Sequence, residues 1–568
     1  MDVDPDKLTA MLESLWWLAF LAAFGLCLGS FLNAVIYRVP RNLSLRNPRW
    51  SFCPGCDARI HWYDNLPIVS FLRLRGRCRH CHMPIALRYP VIELLGAIIV
   101  LLIVDALFIA HTRGNFGDTA LGITWQLSDH WPMLVAHLAL FICLLAMSAI
   151  DIEMYWVDVR FTTLATIAGF AMHALWTPFR VEWHRSSDTF GAAGIAATAA
   201  LVVTLIMLHL LLSDEPPEQA ASQATDEPTD TLEPSPETSD IASVEPPATP
   251  NDLTPPPGFD IPAPESSDEL ARLRPDTTVG MSSELLTVGT TEAPAVPTDF
   301  EGAPPLDALP TDATAIQRPP ARWPGQLAAI LAGLSLLAIM VGAFLQANTL
   351  PNIAPATARW WPALLVLFGL IVATGAKARE SDQQIVEAIE AERYNARKMV
   401  SIELACLLPA IAAGVLVLWY AHRSAPFTDW LHNAMDASPF GDWQPLTGLG
   451  TAAVGFIIGG GIGWLVRIVA TLLIGKEAFG TGDIHMMAAA GCVAGWPVVL
   501  IGFMLCCLLA LLGWVLALPF KQTRAIPLGP WLSLAFLIVA LFYDPIMQSP
   551  QVQNIVDLFT STSFRFGP

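Results

Sequence analysis

The chain has 568 residues, of which 54% are apolar and 14% charged, and its mean hydropathy is +0.50. That composition excludes an ordinary water-soluble domain and points to a polytopic membrane protein. The net charge of −19 says nothing about the body of the protein: residues 213–320 hold 22 acidic side chains against Arg272, Arg274 and Arg318, an excess equal to the whole net charge. The remainder is balanced, so a nucleic-acid partner has no support.

In chain order, apolar stretches fall at 15–37, 91–110, 131–150, 161–177, 190–212, 325–346, 360–375, 401–420, 446–475, 484–519 (read as two helices) and 528–543. Backbone groups in lipid must be satisfied within the segment, so the expected fold is all-α, with about ten to eleven transmembrane helices. The acidic segment before the first span lacks the basic start of a removable signal peptide. The first span is expected to occupy residues 1–37. Between it and the second span lies the loop 38–89, with ten arginines against Asp57 and Asp64. The positive-inside rule puts this loop in the cytoplasm and the N-terminus outside.

Within the loop, Cys53-Pro-Gly-Cys56 and Cys78-Arg-His-Cys81 form two C-x2-C pairs. Their spacing suits a closed four-thiolate zinc site with a structural role. Disulfides or redox-active dithiols are the alternatives, with His61, His80 and His82 as possible substitute ligands. The other six cysteines sit in apolar runs and read as packing residues.

Residues 90–212 carry further spans and Asp151, which opens the polar link DIEMYWVDVR with Glu153 and Asp158. Alone, Glu153 and Asp158 read as ordinary interfacial acids. The stretch 213–322 is rich in Pro, Thr, Ser and acids without period, and is expected to be a disordered acidic linker. One part of it, DELARLRPDTTVGMSSELLTVG, has enough apolar character to order on a partner. Residues 323–444 add further helices and a polar stretch at 376–399, read as a juxtamembrane cytoplasmic helix. Residues 445–543 contain the glycine-flanked Asp483 of GTGDIH, and 544–568 form a tail.

Counting spans puts Asp151 and Asp483 at the same cytoplasmic membrane face. An intramembrane or boundary carboxylate is costly unless paired, hydrated or functional. For Asp483 a helix N-cap is an alternative role. Taken together, two carboxyls held close share one proton. The ionised member can activate water while the protonated one polarises a peptide carbonyl, which is aspartic-protease chemistry.

These segments resemble the type IV prepilin peptidases. GLCLGSFLNAVIYRVP is similar to that family's opening helix, and residues 51–97 to its cytoplasmic cysteine domain. DIEMYWVDVRFTTL and EAFGTGDIHMMAAAGCVAGW resemble its two catalytic segments, and RAIPLGPWLSLAFLIVALF its last turn and helix. The resemblance covers 1–200 and about 445–543; the helices near 325–420 and the linker are extra. It implies Asp151 and Asp483 as the catalytic pair and prepilins or pseudopilins as substrates in the bacterial inner membrane. It also implies S-adenosylmethionine as donor for N-methylating the new terminus. No residue is assigned to that cofactor. Two positions depart from the family pattern: His485 where Lys is usual, and Val157 where Pro is usual. An aspartyl protease without methylation, and a non-enzymatic membrane scaffold, are the competing readings.

Overall fold

In the computed structural model of the chain, residues 5–47, 49–110, 112–113, 123–155, 157–176, 187–213, 326–347, 356–375, 396–441, 443–474, 479–517 and 527–553 are described. The expected linker 214–322, most of the 376–399 stretch and the tail beyond 553 lie outside them. Met1–Ser213 and Gly302–Pro568 make one compact unit, whose architecture follows.

The chain is an all-α polytopic membrane protein. Its helices are α1 (Pro5–Arg38), α2 (Val69–Arg73), α3 (Arg88–Val104), α4 (Ile123–Met154), α5 (Val159–Leu175) and α6 (Asp188–Ser213). Then follow α7 (Gln326–Ala347), α8 (Trp361–Gly375), α9 (Ala396–Arg423), α10 (Ala425–Met435) and α11 (Pro445–Ile474). The series ends with α12 (Thr481–Ala494), α13 (Trp496–Ala517), α14 (Leu528–Leu541) and α15 (Tyr543–Met547). Among the described residues, 7 helices are long and apolar enough to cross a bilayer. Four shorter apolar helices, Val159–Leu175, Ile330–Ala343, Ala358–Thr374 and Leu528–Leu541, account for the other expected spans. The 484–519 run is two helices, broken at Gly495, where φ is 89°.

α3 is buried along nearly its whole length, with α1, α4 and α7 packed around it. α11 and α12 approach closely: a Cβ added at Gly455 or Gly491 would run into the other's carbonyl oxygen. Small residues permit such backbone contact where lipid supplies no hydrophobic drive between helices. α6 and α9 pair with each other and turn Val203, Ile206, Val415 and Leu416 outward, the face expected of lipid-covered helices. The six cysteines read as packing divide: Cys143, Cys492 and Cys506 are buried, Cys406 is half-buried, and Cys27 and Cys507 are exposed on helix surfaces. An apolar run gives no indication of which helix face meets lipid and which meets protein.

The extra helices are tied to the bundle by charge. α3 continues as a π turn over Asp105–Ile109, and Asp105 is 1% exposed. Arg359 Nε donates to Asp105 Oδ2 at 2.6 Å, its Nη2 pairs with Oδ1, and Trp360 Nε1 donates to Oδ2 at 2.6 Å. Removing one member of a buried pair strands the other charge, a loss of about 3–5 kcal/mol. Arg359→Ala is therefore expected to lower the unfolding midpoint in detergent sharply. The double variant Asp105→Asn/Arg359→Gln should recover part of that loss, read by calorimetry.

Candidate active site and cysteine cluster

Each C-x2-C pair sits in the same local turn. An isolated bridge joins Phe52 to Arg59 around the first pair and Arg77 to Pro84 around the second. Cys53 N–H donates to Ala58 O and Cys78 N–H to Met83 O, at 3.0 and 2.9 Å. The residue after each second cysteine, Asp57 or His82, has a left-handed backbone, φ 52° and 57°. Two equivalent knuckles thus present their sulfurs to one point. The four Sγ atoms of Cys53, Cys56, Cys78 and Cys81 lie within 4.8 Å of one another.

Cys53 Sγ and Cys81 Sγ are 3.8 Å apart. A tetrahedron with Zn–S bonds of ~2.3 Å has edges of ~3.8 Å, so the donor set fits a four-coordinate metal. The same separation is too long for a disulfide, and all ten cysteines are free. His61, His80 and His82 stand outside the cluster. Burial pushes the Cys53 thiol up to about 12. At Cys78 burial acts in the same sense, but the backbone hydrogen bonds of Cys81 and His80 prevail and bring it to about 7. A metal held here would require thiolates, so its binding would displace the thiol protons.

Asp64 braces the domain. It accepts from Arg73 at 2.9 Å and from Arg79 at 2.6 and 2.7 Å, and both guanidiniums lie over the Tyr63 ring. The arginine beside its carboxyl, Arg79 foremost, holds Asp64 below the usual carboxylate range.

Asp151 lies in the last turn of α4, since the helix runs on to Met154; the polar link begins later than the sequence suggested. Its Oδ2 accepts the Gly529 N–H at 3.1 Å. Gly529 stands in the first turn of α14, where backbone N–H groups lack helical acceptors and favour a negative partner. One turn deeper, Ser148 Oγ donates to Ser533 Oγ at 2.9 Å, fastening α4 to α14. Arg88 and Glu153, both buried, pair at 2.8 and 3.0 Å and join the start of α3 to the end of α4.

Asp483 occupies the third residue of α12. The N-cap is Gly480, so the N-cap role open to Asp483 falls to its neighbour. Arg467 of α11 pairs with Glu403 at 2.9 and 3.0 Å and donates to the Phe479 carbonyl at 2.5 Å, holding the turn that precedes the glycines. At the other end of α12, Arg113 donates to Ala494 O at 2.6 Å. A Cβ on Gly482 would stand 2.5 Å from Val157 Cβ. The polar link after α4 and the glycine turn before α12 are therefore in direct contact. This contact brings the link that follows Asp151 against the turn that carries Asp483.

The other acids of the link have structural partners. Asp158 caps α5, accepting Arg160 N–H at 3.0 Å, and is clamped by the Arg160 guanidinium. His485 is exposed, with Nδ1 2.7 Å from Thr481 O. Sequence reasoning passed over Gly529, Arg467 and the Arg88–Glu153 pair. A Pro-Leu-Gly-Pro helix start and two intramembrane arginines were the available signals.

Residues 23–107 match the bacterial peptidase A24 N-terminal domain. The chain is 39% identical over 153 residues to a prepilin leader peptidase/N-methyltransferase of Myxococcus xanthus, covering 27% of this chain and 39% of the relative. It is 33% identical over 181 residues to the type 4 prepilin-like proteins leader peptide-processing enzyme of Escherichia coli, covering 29% and 56%. With a Burkholderia pseudomallei prepilin leader peptidase/N-methyltransferase it shares 32% over 187 residues, covering 28% and 53%. The chain thus spans less than two thirds of the length of these relatives. No solved structure matches. The A24 domain around the cysteine cluster and these shared stretches make the chain similar to the prepilin leader peptidase/N-methyltransferases.

Proposed function

We propose that the chain is an aspartic endopeptidase of the bacterial inner membrane. Its substrates are prepilin-like or pseudopilin proteins, whose leaders it removes at the cytoplasmic face. The observation that supports this reading best is the contact of Val157, in the link after Asp151, with Gly482, next to Asp483, together with a helix-start N–H on Asp151.

The pair carries one shared proton. The ionised carboxylate takes a proton from water while its oxygen attacks the scissile carbonyl carbon. The protonated partner donates to the carbonyl oxygen, giving a neutral gem-diol. Proton return to the amide nitrogen then breaks the C–N bond. The Gly529 N–H fixes Asp151 throughout, so only protons and the substrate move.

The four cysteines would hold a zinc ion that organises the loop and takes no part in cleavage, since a closed thiolate site leaves no position for water. N-methylation of the new N-terminus would take S-adenosylmethionine as its donor. The sequence contains no glycine-rich loop suited to that cofactor, and no residue is assigned to it. The test is cleavage of the organism's own pilin-like proteins by the purified chain, with mass spectrometry of the product terminus. A cleaved but unmethylated product removes the transferase half, and an intact leader removes the whole reading.

A methyl group at Gly529 would stand 2.7 Å from Asp151 Oδ2. Displacing a reacting group by about 1 Å costs on the order of a hundredfold. Gly529→Ala should lower kcat by about that factor with KM unchanged, measured on a cleaved leader peptide.

A further inference from the structure

Residues 62–77, between the two knuckles, sit at a depth that neither the cysteine cluster nor the carboxyl pair requires. Ile68 N–H donates to Glu93 Oε2 at 2.8 Å, and Glu93 is buried five residues into α3. At 1.5 Å per residue that is roughly 7 Å along the membrane helix. The Ile68 side chain packs against the bundle core. The short helix α2 therefore begins level with the second turn of α3 rather than out in the aqueous phase.

Two further features belong to the same segment. Trp62 is 78% exposed, Val69 57% and Leu72 68%, with Leu66 also exposed; Val69 and Leu72 are three apart and share a face of α2. Just beyond, Arg73, Arg75, Arg77 and Arg79 are all exposed. Asp64 binds Arg73 and Arg79, and the loop as a whole is strongly basic. Apolar and aromatic side chains at interfacial depth, rimmed by arginine, match a bilayer surface with anionic headgroups. The rings and aliphatics enter the acyl boundary and the guanidiniums meet phosphate oxygens.

We propose that residues 62–77 form a membrane-interface element that seats on anionic phospholipid, in the leaflet where α1 ends and α3 begins. Trp62, Leu66, Val69 and Leu72 lie in the interface, and Arg75 and Arg77 engage phosphates. Seating this element holds the second knuckle, which starts at Cys78, against the bilayer.

The test uses the full-length chain in nanodiscs of phosphatidylcholine alone or mixed with phosphatidylglycerol, read by amide hydrogen exchange of peptides covering 62–77. Each arginine near an anionic surface contributes roughly a fivefold change in binding. Exchange in 62–77 is expected to be at least about tenfold slower in the anionic discs, with peptides from 43–50 as the internal control. Arg75→Gln/Arg77→Gln should abolish the difference between lipids. Val69→Ser/Leu72→Ser should speed exchange in both, with unchanged circular dichroism confirming the fold. Equal exchange in the two lipids overturns the proposal. So does protection that appears only when a pilin-like protein is added, which would make the surface a protein-docking site.

Discussion

Asparagine at position 151 or 483 is expected to leave the chain folded and to lower leader cleavage by about two to four orders of magnitude. Asparagine preserves the volume and one acceptor oxygen, so the Gly529 N–H at Asp151 keeps its partner. On the proposed mechanism, what is lost is the shared proton. A dyad titrates as a unit and gives a bell-shaped rate profile whose limbs belong to the pair. Either single variant should reduce any residual activity to a profile with at most one limb. Asp158→Asn is the control, because Asp158 caps α5 and pairs with Arg160. It should cost about 1 kcal/mol or less of stability with cleavage kept. Full cleavage by D151N or D483N, followed by mass spectrometry of the product, would remove both carboxyls from the mechanism.

Stripping metal from the cysteine domain should show in a different observable, the integrity of the loop. Structural zinc in a small four-ligand site contributes about 10–16 kcal/mol of apparent binding free energy near neutral pH. Each knuckle closes on a single bridge and turn hydrogen bonds, while Asp64 with Arg73 and Arg79 braces the segment between them. The purified protein should carry one zinc per chain by elemental analysis. Cys53→Ser/Cys81→Ser, or a strong chelator, should abolish it and open residues 51–88 to proteolysis while the apolar helices persist. Because the ligands must be thiolates, retention should weaken as pH falls. A metal-free protein with a protease-resistant loop would exclude the site.

Much of this arrangement was legible in the sequence, for physical reasons. Apolar runs of span length state their own fold, since lipid permits little besides helices. The C-x2-C pairs announce their convergence because each short turn presents both sulfurs on one side. Other features depend on partners far along the chain, which local pattern does not carry. Nothing around Asp105 indicates Arg359, and nothing around Asp151 indicates a backbone N–H from Gly529. Helix ends were also misjudged: Asp151 lies inside α4 because Ile152, Glu153 and Met154 continue the helix, with Glu153 neutralised by Arg88. The exposed sides of Cys27 and Cys507 escaped notice because an apolar helix in lipid shows little contrast between its faces.

The clamp at Asp105 bears on how the protein is made. Arg359 and Trp360 follow Asp105 by 254 and 255 residues. At a synthesis rate of about 5–20 residues per second, they leave the ribosome roughly ten seconds to a minute after α3. During that interval α4 to α7 and the acidic segment are translated, and the carboxylate in α3 has yet to meet its guanidinium. The bundle therefore cannot close in the order in which it is written. α3 must wait at the insertion machinery, or enter the bilayer with Asp105 protonated or hydrated, until the later hairpin arrives to neutralise it.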